Sequence, residues 1–570
     1  MNLPTTSALT VNRLQRYPIL QAFGFVFLLM ASEFAFFRPY FLVNDDLFQL
    51  FILKGIGIGL SPDAHVFFSH LFFSHPLSTL YRLFPALPWY PLALLAIQYL
   101  SFSALAVALT QTTRNQILSH LFFAVFFLIF GLYNFQNINF TLTSCLAFQG
   151  GFFLLLELAE NPVHPNRKTF LGLGAFCLFL SFICRPESFL ISAFVALPCL
   201  LITYQRSSCR TVIRRFVLGL AVLLSFFLLV DHLYYSATPE WKKYGDTVPI
   251  TRDLRDIYPL PYNQTTKPFF EEVGWSLNDL ALLKSWYFWD EDIYSLENFR
   301  KLRSHFSPIK SVVEVLNSFQ HFETNHTFLG LMGCFLFALP FFRRRFLKDL
   351  LINFLWCCGF LLFLALWLKL PERIYFPTLA FLVLISFRQC LQENRIPLSP
   401  ADSDKRFLFL AVLLVLFIPA SLYQAHRSDQ YKRYWKSALK NSVASLQPKD
   451  NQLFIVWDSQ YPFEYIGAFD DFSQYRNFHM LSFAGYQKAP LTKHMMSHFN
   501  LTHPLLDLVD NPSVFLICNS YSGILGLTYL REKFHVDAVA LKTFESPSFT
   551  VYQLITHPTL SPIPQRNRTH

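Results

Sequence analysis

The sequence predicts a polytopic α-helical membrane protein of about eleven transmembrane helices with a small C-terminal α/β domain outside the membrane. Of its 570 residues, 53% are hydrophobic and only 15% are charged, and the mean hydropathy is +0.34. A typical soluble protein carries about 25% charged residues. The composition therefore argues against a soluble enzyme, a disordered chain, a fibrous repeat and a coiled coil.

The apolar residues fall into runs of the length that a bilayer requires, which is about 20 residues or roughly 17 at the short end. The first run is not a cleaved signal peptide, because it lacks a small-x-small cleavage site and ends near Glu33 and Arg38. The fifth and sixth runs are separated only by Arg185-Pro186-Glu187. The predicted spans are 18–37, 89–109, 117–133, 141–159, 169–184, 188–204, 216–234, 327–342, 350–368, 376–391 and 407–425.

Basic residues collect on alternate connectors between these spans, as at Arg206, Arg210, Arg214 and Arg215. The positive-inside rule therefore predicts a cytoplasmic N-terminus and an external C-terminus. Much of the net charge of +10 serves this orientation, so no nucleic-acid partner is predicted. Three polar segments, 38–88, 235–326 and 426–570, then lie outside. The sequence contains no GxxxxGK[ST] phosphate loop, so direct handling of ATP is not expected.

Two domains are predicted: a transmembrane domain, 1–425, with outer loops 38–88 and 235–326, and an external α/β domain, 426–570. In the second, short apolar runs at 453–457 and 514–518 predict buried strands, and 536–541 and 549–554 predict closing strands. Helices are predicted at 489–499 and 521–534. No glycine fingerprint follows the first strand, so a dinucleotide site is not predicted.

Charged side chains gather where several predicted spans end on the outer side. Asp45 and Asp46 follow the first span, Arg185 lies between the fifth and sixth, and Arg373 follows the ninth. Ionisable groups at the membrane are costly and are candidates for function. Adjacent carboxylates above a bilayer suit a general base, an electrostatic clamp or a pair of metal ligands. Asn44-Asp45-Asp46 is also typical of a helix N-cap, and that alternative stays open.

This plan resembles the GT-C superfamily, membrane glycosyltransferases that use polyprenyl-phosphate sugars, such as protein mannosyltransferases and the aminoarabinose lipid A transferase. The resemblance rests on a carboxylate-bearing loop after the first span, about eleven spans, large outer loops and a terminal outer domain. Short stretches at 73–77 and 80–84 resemble the remainder of that first loop, which lies along the membrane surface, and the chain looks closest to bacterial members. The resemblance implies the cytoplasmic membrane of a bacterium as the location.

In this superfamily an acidic residue of the first outer loop is the usual catalytic base, which maps onto Asp46 or Asp45, with Asp46 slightly favoured. Protein mannosyltransferases usually show Asp-Glu there, whereas this chain has Asp-Asp, so the choice between the two stays open. Arg185 and Arg373 match the family's arginines near the lipid phosphate. The alternative for both is an interfacial arginine that reaches the headgroups or pairs with Glu187 or Glu372.

The second outer loop holds aromatic and acidic side chains that suit a sugar acceptor, because rings stack on sugars and carboxylates accept bonds from hydroxyls. The candidates are Trp275, Asp279, Trp286 and Trp289. Tryptophan is also typical of membrane interfaces, and this alternative is favoured. His65, His70 and His75 recur at a spacing that does not share one helical face, so no metal site is predicted.

The sequence therefore predicts a glycosyltransferase that moves a sugar from a polyprenyl-phosphate donor to a glycan, lipid or protein acceptor on the outer membrane face. The donor is a substrate and no cofactor is predicted, although the chemistry leaves a divalent metal open. An O-antigen ligase or polymerase, a lipid or solute transporter and a non-enzymatic scaffold are the alternatives. A transporter would be expected to show internal repeats and broken helices, and neither is evident in the sequence.

Overall fold

The computed structural model describes residues 18–112, 116–161, 165–206, 210–322, 325–338, 344–393, 400–457, 460–483 and 485–557. Within these ranges, nine helices are long and apolar enough to cross a membrane, so the prediction of a polytopic helical membrane protein is confirmed. They are α1 (Pro18–Phe36), α4 (Trp89–Thr112), α5 (Gln116–Gln136), α6 (Phe140–Glu160), α7 (Arg167–Cys184), α8 (Pro186–Arg206), α9 (Arg210–Tyr235), α16 (Arg344–Trp367) and α17 (Glu372–Glu393).

The two remaining predicted spans coincide with helices that those criteria leave out. The apolar helix α15 (His326–Ala338) covers the start of span 327–342, whose last residues lie outside the described part of the chain. Helix α18 (Pro400–Leu446) contains span 407–425 and continues for another 21 residues beyond it. At 1.5 Å per residue its 47 residues extend about 70 Å, so it reaches well past a bilayer.

Short helices connect the long ones at one end of the bundle, which we call the domain face. They are α2 (Asn44–Lys54), α3 (Leu71–Leu83), α10 (Pro239–Arg252), α11 (Lys267–Glu272), α12 (Leu277–Lys284), α13 (Leu296–His305) and α14 (Val312–Phe319). A two-stranded parallel sheet of β1 (Tyr40–Phe41) and β2 (Asn137–Ile138) lies among them.

The C-terminal segment forms a five-stranded mixed sheet in the order β4-β3-β5-β7-β6. β3 pairs in parallel with β4 and β5, whereas β7 pairs antiparallel with β5 and β6. Its elements are β3 (Leu453–Trp457), β4 (His479–Phe483), α19 (Pro490–His498), β5 (Val514–Ile517), α20 (Ser520–Phe534), β6 (Ala538–Glu545) and β7 (Thr550–Thr556). Strand β4 is absent from the sequence prediction.

The sheet and the second large loop share one hydrophobic core. Trp275, Tyr287 and Phe299 of the loop are buried in the same cluster as Trp457 and Tyr529 of the sheet segment. The boundary drawn at residue 425 therefore separates two stretches of sequence that pack together. Both stretches lie on the domain face.

The bundle itself is closely packed. Gly151 of α6 faces Gly174 of α7, where a Cβ atom would lie 2.6 Å from the Gly174 carbonyl oxygen. Two buried glutamines donate hydrogen bonds between helices, Gln98 Nε2 to Thr143 Oγ1 at 3.0 Å and Gln149 Nε2 to the Pro377 carbonyl at 2.8 Å, whereas the Oε1 atoms of both are buried without a hydrogen-bond partner. Such pairing is what an apolar environment requires of buried polar groups.

Ion pairs join two pairs of helices at the opposite end of the bundle. Arg388 of α17 contacts Glu160 of α6 at 2.6 Å and Glu157 at 3.5 Å. Arg206 of α8 binds Asp349 of α16 through two nitrogens, with Nη2 2.8 Å from Oδ1. Removing one partner of the buried Arg388–Glu157 pair should cost about 3–5 kcal/mol, whereas the pair of Arg206, which is 45% exposed, contributes less.

Candidate functional site

The first outer loop is positioned by the pairing of β1 with β2. Tyr40 pairs with Asn137 and Phe41 with Ile138, and the Leu42 amide donates to the Ile138 carbonyl at 3.0 Å. β1 leads directly into α2, and β2 leads directly into α6. The short sheet therefore sets the first turn of α2, which carries Asp45 and Asp46, beside the first turn of α6.

Asp46 is fully buried and takes part in a network of three hydrogen bonds. Its Oδ1 accepts from the Phe140 amide at 3.0 Å and from the Tyr90 hydroxyl at 3.2 Å, and its Oδ2 accepts from Asn139 Nδ2 at 2.7 Å. Burial raises the pKa of Asp46 to about 7, although these bonds act in the opposite direction. Asp46 has no exposed surface, and its three hydrogen bonds attach the first turn of α2 to α4 and to the start of α6.

Asp45 has the opposite environment. Its side chain is 33% exposed, and its Oδ2 lies 3.3 Å from Nη1 of Arg373, which is 23% exposed. The N-cap of α2 is Val43, which makes no side-chain capping bond, so the carboxylates lie in the first turn and do not cap the helix. Of the two aspartates, Asp45 is therefore the one whose carboxylate is accessible.

Arg185 lies in the tight turn between α7 and α8. Its amide donates to the Ser181 carbonyl at 3.1 Å, and Pro186 follows as the first residue of α8, where its missing amide hydrogen costs nothing. The guanidinium donates through Nη1 to Thr141 Oγ1 and lies over the Phe140 ring, 4.8 Å from its centroid. Its Nε is buried without a hydrogen bond, 3.7 Å from a Glu187 carboxylate oxygen.

Arg185, Arg373 and Asp45 form what we call the charged cluster. Burial has the largest effect on the pKa of Arg185 and lowers it. The Glu187 carboxylate raises this pKa, and smaller effects come from Arg373, which lowers it, and from Asp45, which raises it. The three groups are thus near enough to sense one another's charge. Tyr486, from the C-terminal segment, closes this region: its hydroxyl accepts from the Phe67 amide at 2.9 Å, and burial raises its pKa, with further increases from Asp45 and Asp63.

An apolar cavity of about 300 Å³, which we call the lateral groove, runs between α6, α7, α8 and α9. Its wall includes Phe148 and Phe189, and Arg167 lies at the far end of α7. Phe189 follows Arg185 by one helical turn, its amide donating to the Arg185 carbonyl at 3.1 Å. Phe148 also lines a small cavity of about 10 Å³ bordered by Ile374, the residue after Arg373. The lining residue nearest to the charged cluster is therefore Phe189, one helical turn beyond Arg185, and none of the three charged residues lines the groove.

The four candidate acceptor residues lie away from this cluster, in or against the second core. Trp275 is buried and donates through Nε1 to the Ile293 carbonyl at 2.8 Å. Asp279 is fully buried, forms a capping box with Ser276 and accepts from Lys533 Nζ at 2.9 Å.

Trp286 and Trp289 are partly buried against the same core. The Arg255 guanidinium lies 3.0 Å from the ring centroid of Trp286. Trp275 and Asp279 thus present no open surface for an acceptor, because both complete the packing of the second core.

The three histidines of the first loop have separate local roles. His70 caps α3, accepting from the Phe72 amide at 3.1 Å, and its Nε2 lies 2.9 Å from the Phe227 carbonyl. His65 stacks between Tyr234 and Trp241 and contacts Asp63 at 2.7 Å. In the described parts of the chain, no group of three or more His, Cys, Asp or Glu side chains is arranged to hold a metal ion.

Sequence reasoning missed the residues that support the cluster: Tyr90, Asn139, Thr141 and Tyr486. A signal existed for Asn139, because an Asn directly before an apolar run is a typical N-cap, and its Oδ1 does accept from the Thr141 and Leu142 amides. No local pattern marks Tyr486, which lies in a different domain of the sequence prediction.

Comparison with known proteins finds no family model that matches this chain and no characterised protein whose sequence matches it.

Proposed function

We propose that this protein is a membrane glycosyltransferase that moves a sugar from a polyprenyl-phosphate donor to an acceptor. The observation that carries the proposal is the charged cluster, in which an accessible carboxylate, Asp45, lies beside Arg373 and Arg185, with the lateral groove starting one helical turn beyond Arg185 at Phe189. An isoprenoid chain requires an apolar channel, its phosphate requires cations and the acceptor hydroxyl requires a base. All three requirements have a candidate within one region.

Asp45 is the proposed general base. As the acceptor oxygen attacks the anomeric carbon, Asp45 takes its proton, and the bond from that carbon to the phosphate oxygen breaks. Positioned proton transfer of this kind contributes roughly 10²–10⁴-fold to a rate. Asp45 is the better candidate of the two aspartates because its side chain is accessible whereas that of Asp46 is enclosed.

Arg185 and Arg373 are proposed to stabilise the departing polyprenyl phosphate. Its oxygens gain negative charge, and a guanidinium binds such a group through two parallel hydrogen bonds. The Arg185 side chain is 16% exposed, so part of it can meet this phosphate. We expect the phosphate to compete with Asp45 for Arg373, which releases the carboxylate to act as a base when the donor is bound.

The charge distribution supports a cytoplasmic N-terminus, with the charged cluster and the sheet outside the cytoplasmic membrane of a bacterium. With this orientation we propose eleven spans, because α15 and α18 then cross the membrane as well. Four helices, α15 to α18, would lie between the second large loop and the sheet, which keeps both on the same side of the membrane. The partners would be the bilayer, the lipid-linked sugar and a glycan, lipid or protein acceptor.

The test replaces Asp45→Asn and Arg373→Gln in the chain expressed in a host that lacks its own copy. Lipid-linked sugars and envelope glycans are then measured by mass spectrometry. We expect the glycan product to fall at least 10²-fold in each variant while the unused lipid-linked donor accumulates. Asp450→Asn and Arg427→Gln are matched controls, because both side chains are exposed and distant in sequence from the cluster.

Normal product from both cluster variants, at the protein level of the parent chain, would contradict the proposal. A transporter gives a different result: the substrate appears on one side of the membrane chemically unchanged in the parent chain. Measuring the product's glycosidic bond therefore separates transfer from transport.

A further inference from the structure

Helix α14 presents an apolar stripe to the outside of the protein. Val312, Val313 and Leu316 are 74%, 65% and 60% exposed, and Ile309 just before the helix is also exposed. These positions follow the 3, 4 and 7 residue spacing that places side chains on one helical face. A contiguous apolar patch of this kind is rare on a surface that faces water and marks contact with another apolar phase.

Another side of α14 packs against the protein. Val315 is buried in the main core, and the Phe319 ring lies 5.2 Å from that of Phe322. Ser311 and Glu314 form a capping box at the first turn, with the Ser311 amide 2.8 Å from Glu314 Oε2. The exposed stripe is therefore one face of an ordered amphipathic helix that is attached to the protein by its other face.

The stripe continues a surface that faces lipid. The Lys310 amide donates to the Leu366 carbonyl at 3.0 Å, which ties the start of α14 to the last turn of the transmembrane helix α16. Near that end α16 exposes Leu362, Phe363 and Trp367. Helix α15, an apolar helix, begins seven residues after α14 ends. Thus α14 lies where two apolar helices reach the domain face.

We propose that α14 is an interfacial helix that lies in the plane of the membrane surface, with Val312, Val313 and Leu316 inserted among the acyl chains of the domain-face leaflet. Its partner is the phospholipid surface. Continuity with the lipid-facing surface of α16 favours lipid over a second copy of the chain. This helix would hold the second core close to the bilayer independently of the charged cluster.

The test uses the unmodified full-length chain in vesicles of phosphatidylethanolamine and phosphatidylglycerol that contain a phospholipid with a diazirine in its acyl chain. After irradiation, labelled peptides are located by mass spectrometry. We expect labelling of the α14 peptide and of Leu362 and Phe363 in α16. We expect none in α13, whose apolar residues Phe299 and Leu302 are buried in the second core.

A pair of variants sharpens the result. Val313→Glu combined with Leu316→Glu should reduce labelling of α14 several-fold and leave α16 labelling unchanged, whereas Ser318→Glu, on the polar side of the helix away from the stripe, should leave both unchanged. If the lipid probe labels α16 but not α14 in the unmodified chain, the proposal is overturned. Covalent dimers through α14 after irradiation with photoreactive residues at Val312 would also overturn it, because they would assign the stripe to a second copy.

Discussion

Asp46 accepts a 2.7 Å hydrogen bond from the side-chain amide of Asn139, and the other end of that amide caps α6. This one contact joins the first loop to the helix that carries Thr141, the partner of Arg185. Asp45, the residue before Asp46, forms an ion pair with Arg373. Two adjacent aspartates thus have separate environments: Asp46 is enclosed in a hydrogen-bond network that holds the loop, and Asp45 is partly exposed in an ion pair.

Asp46→Ala should destabilise the protein by about 3–5 kcal/mol, because it leaves the Phe140 amide, Asn139 Nδ2 and the Tyr90 hydroxyl without their acceptor. The measurement is thermal unfolding of the purified protein in detergent. Asp45→Ala is the control and should cost about 1 kcal/mol or less, since its ion pair is partly exposed. Equal losses from both variants would contradict the division of roles.

The stability of the protein should fall as the pH rises through about 7, because burial raises the pKa of Asp46 to about 7 from an ordinary value near 4. The folded state then binds this proton more tightly than the unfolded state. The protonated Asp46 side chain therefore makes its full contribution to the free energy of unfolding below about pH 4, and this contribution is lost as the pH rises above 7. Midpoints of thermal unfolding between pH 5 and pH 8 measure it. Asp46→Asn, which cannot titrate, should show a flatter profile, and parallel profiles would refute the assignment.

Gly55→Ala should destabilise the first loop and reduce activity together. Gly55 ends α2 with a left-handed φ of +69°, and a Cβ atom there would lie 2.3 Å from the backbone carbon of Ser61. Because α2 carries Asp45, a shift of the end of the helix would move the proposed base. Gly24→Ala is the matched control: no atom lies within 4 Å of the added carbon, and alanine favours a helix. Unfolding midpoints and product yield are the two readouts, and an unaffected Gly55→Ala chain would argue against this close approach.

Lys533→Met should destabilise the second core by about 3–5 kcal/mol, because it leaves the buried Asp279 carboxylate without its cation. Lys542→Met is the control, since Lys542 is exposed and pairs with an exposed glutamate. Thermal unfolding and acceptor KM are measured side by side. A raised KM with an unchanged unfolding midpoint would instead support the prediction that Asp279 contacts an acceptor.

Most of the bundle could be predicted from the sequence because a membrane span is a local property. A run of about 20 apolar residues predicts a membrane-spanning helix without information from the rest of the chain. Nine of the predicted runs match long apolar helices in the described part of the chain. The full length of α18 could not be predicted this way. Its polar extension beyond residue 425 carries no hydropathy signal, and it is a helix because its side chains pack on the C-terminal segment, as the ring stacking of Trp435 on Tyr465 shows.

The site was only partly predictable because its partners are distant in sequence. The candidates Asp45, Arg185 and Arg373 were found from charge at the ends of spans, and the fold brings them together. The different tasks of Asp45 and Asp46 depend on the pairing of β1 with β2, which joins residues almost 100 positions apart. The sequence predicts Asp279 to lie on an acceptor-binding surface, whereas in the structure it pairs with Lys533, 254 residues later.

The shared core of the second loop and the sheet has a consequence for biosynthesis. Its first half, up to Leu302, leaves the ribosome about 150 residues before its second half, from Leu453. At roughly 5–20 residues per second the nascent loop waits on the order of 10 s while the last helices are inserted. During that time its tryptophans and tyrosines are without their partners, so a truncated or stalled chain should be a substrate for chaperones and proteases of that compartment.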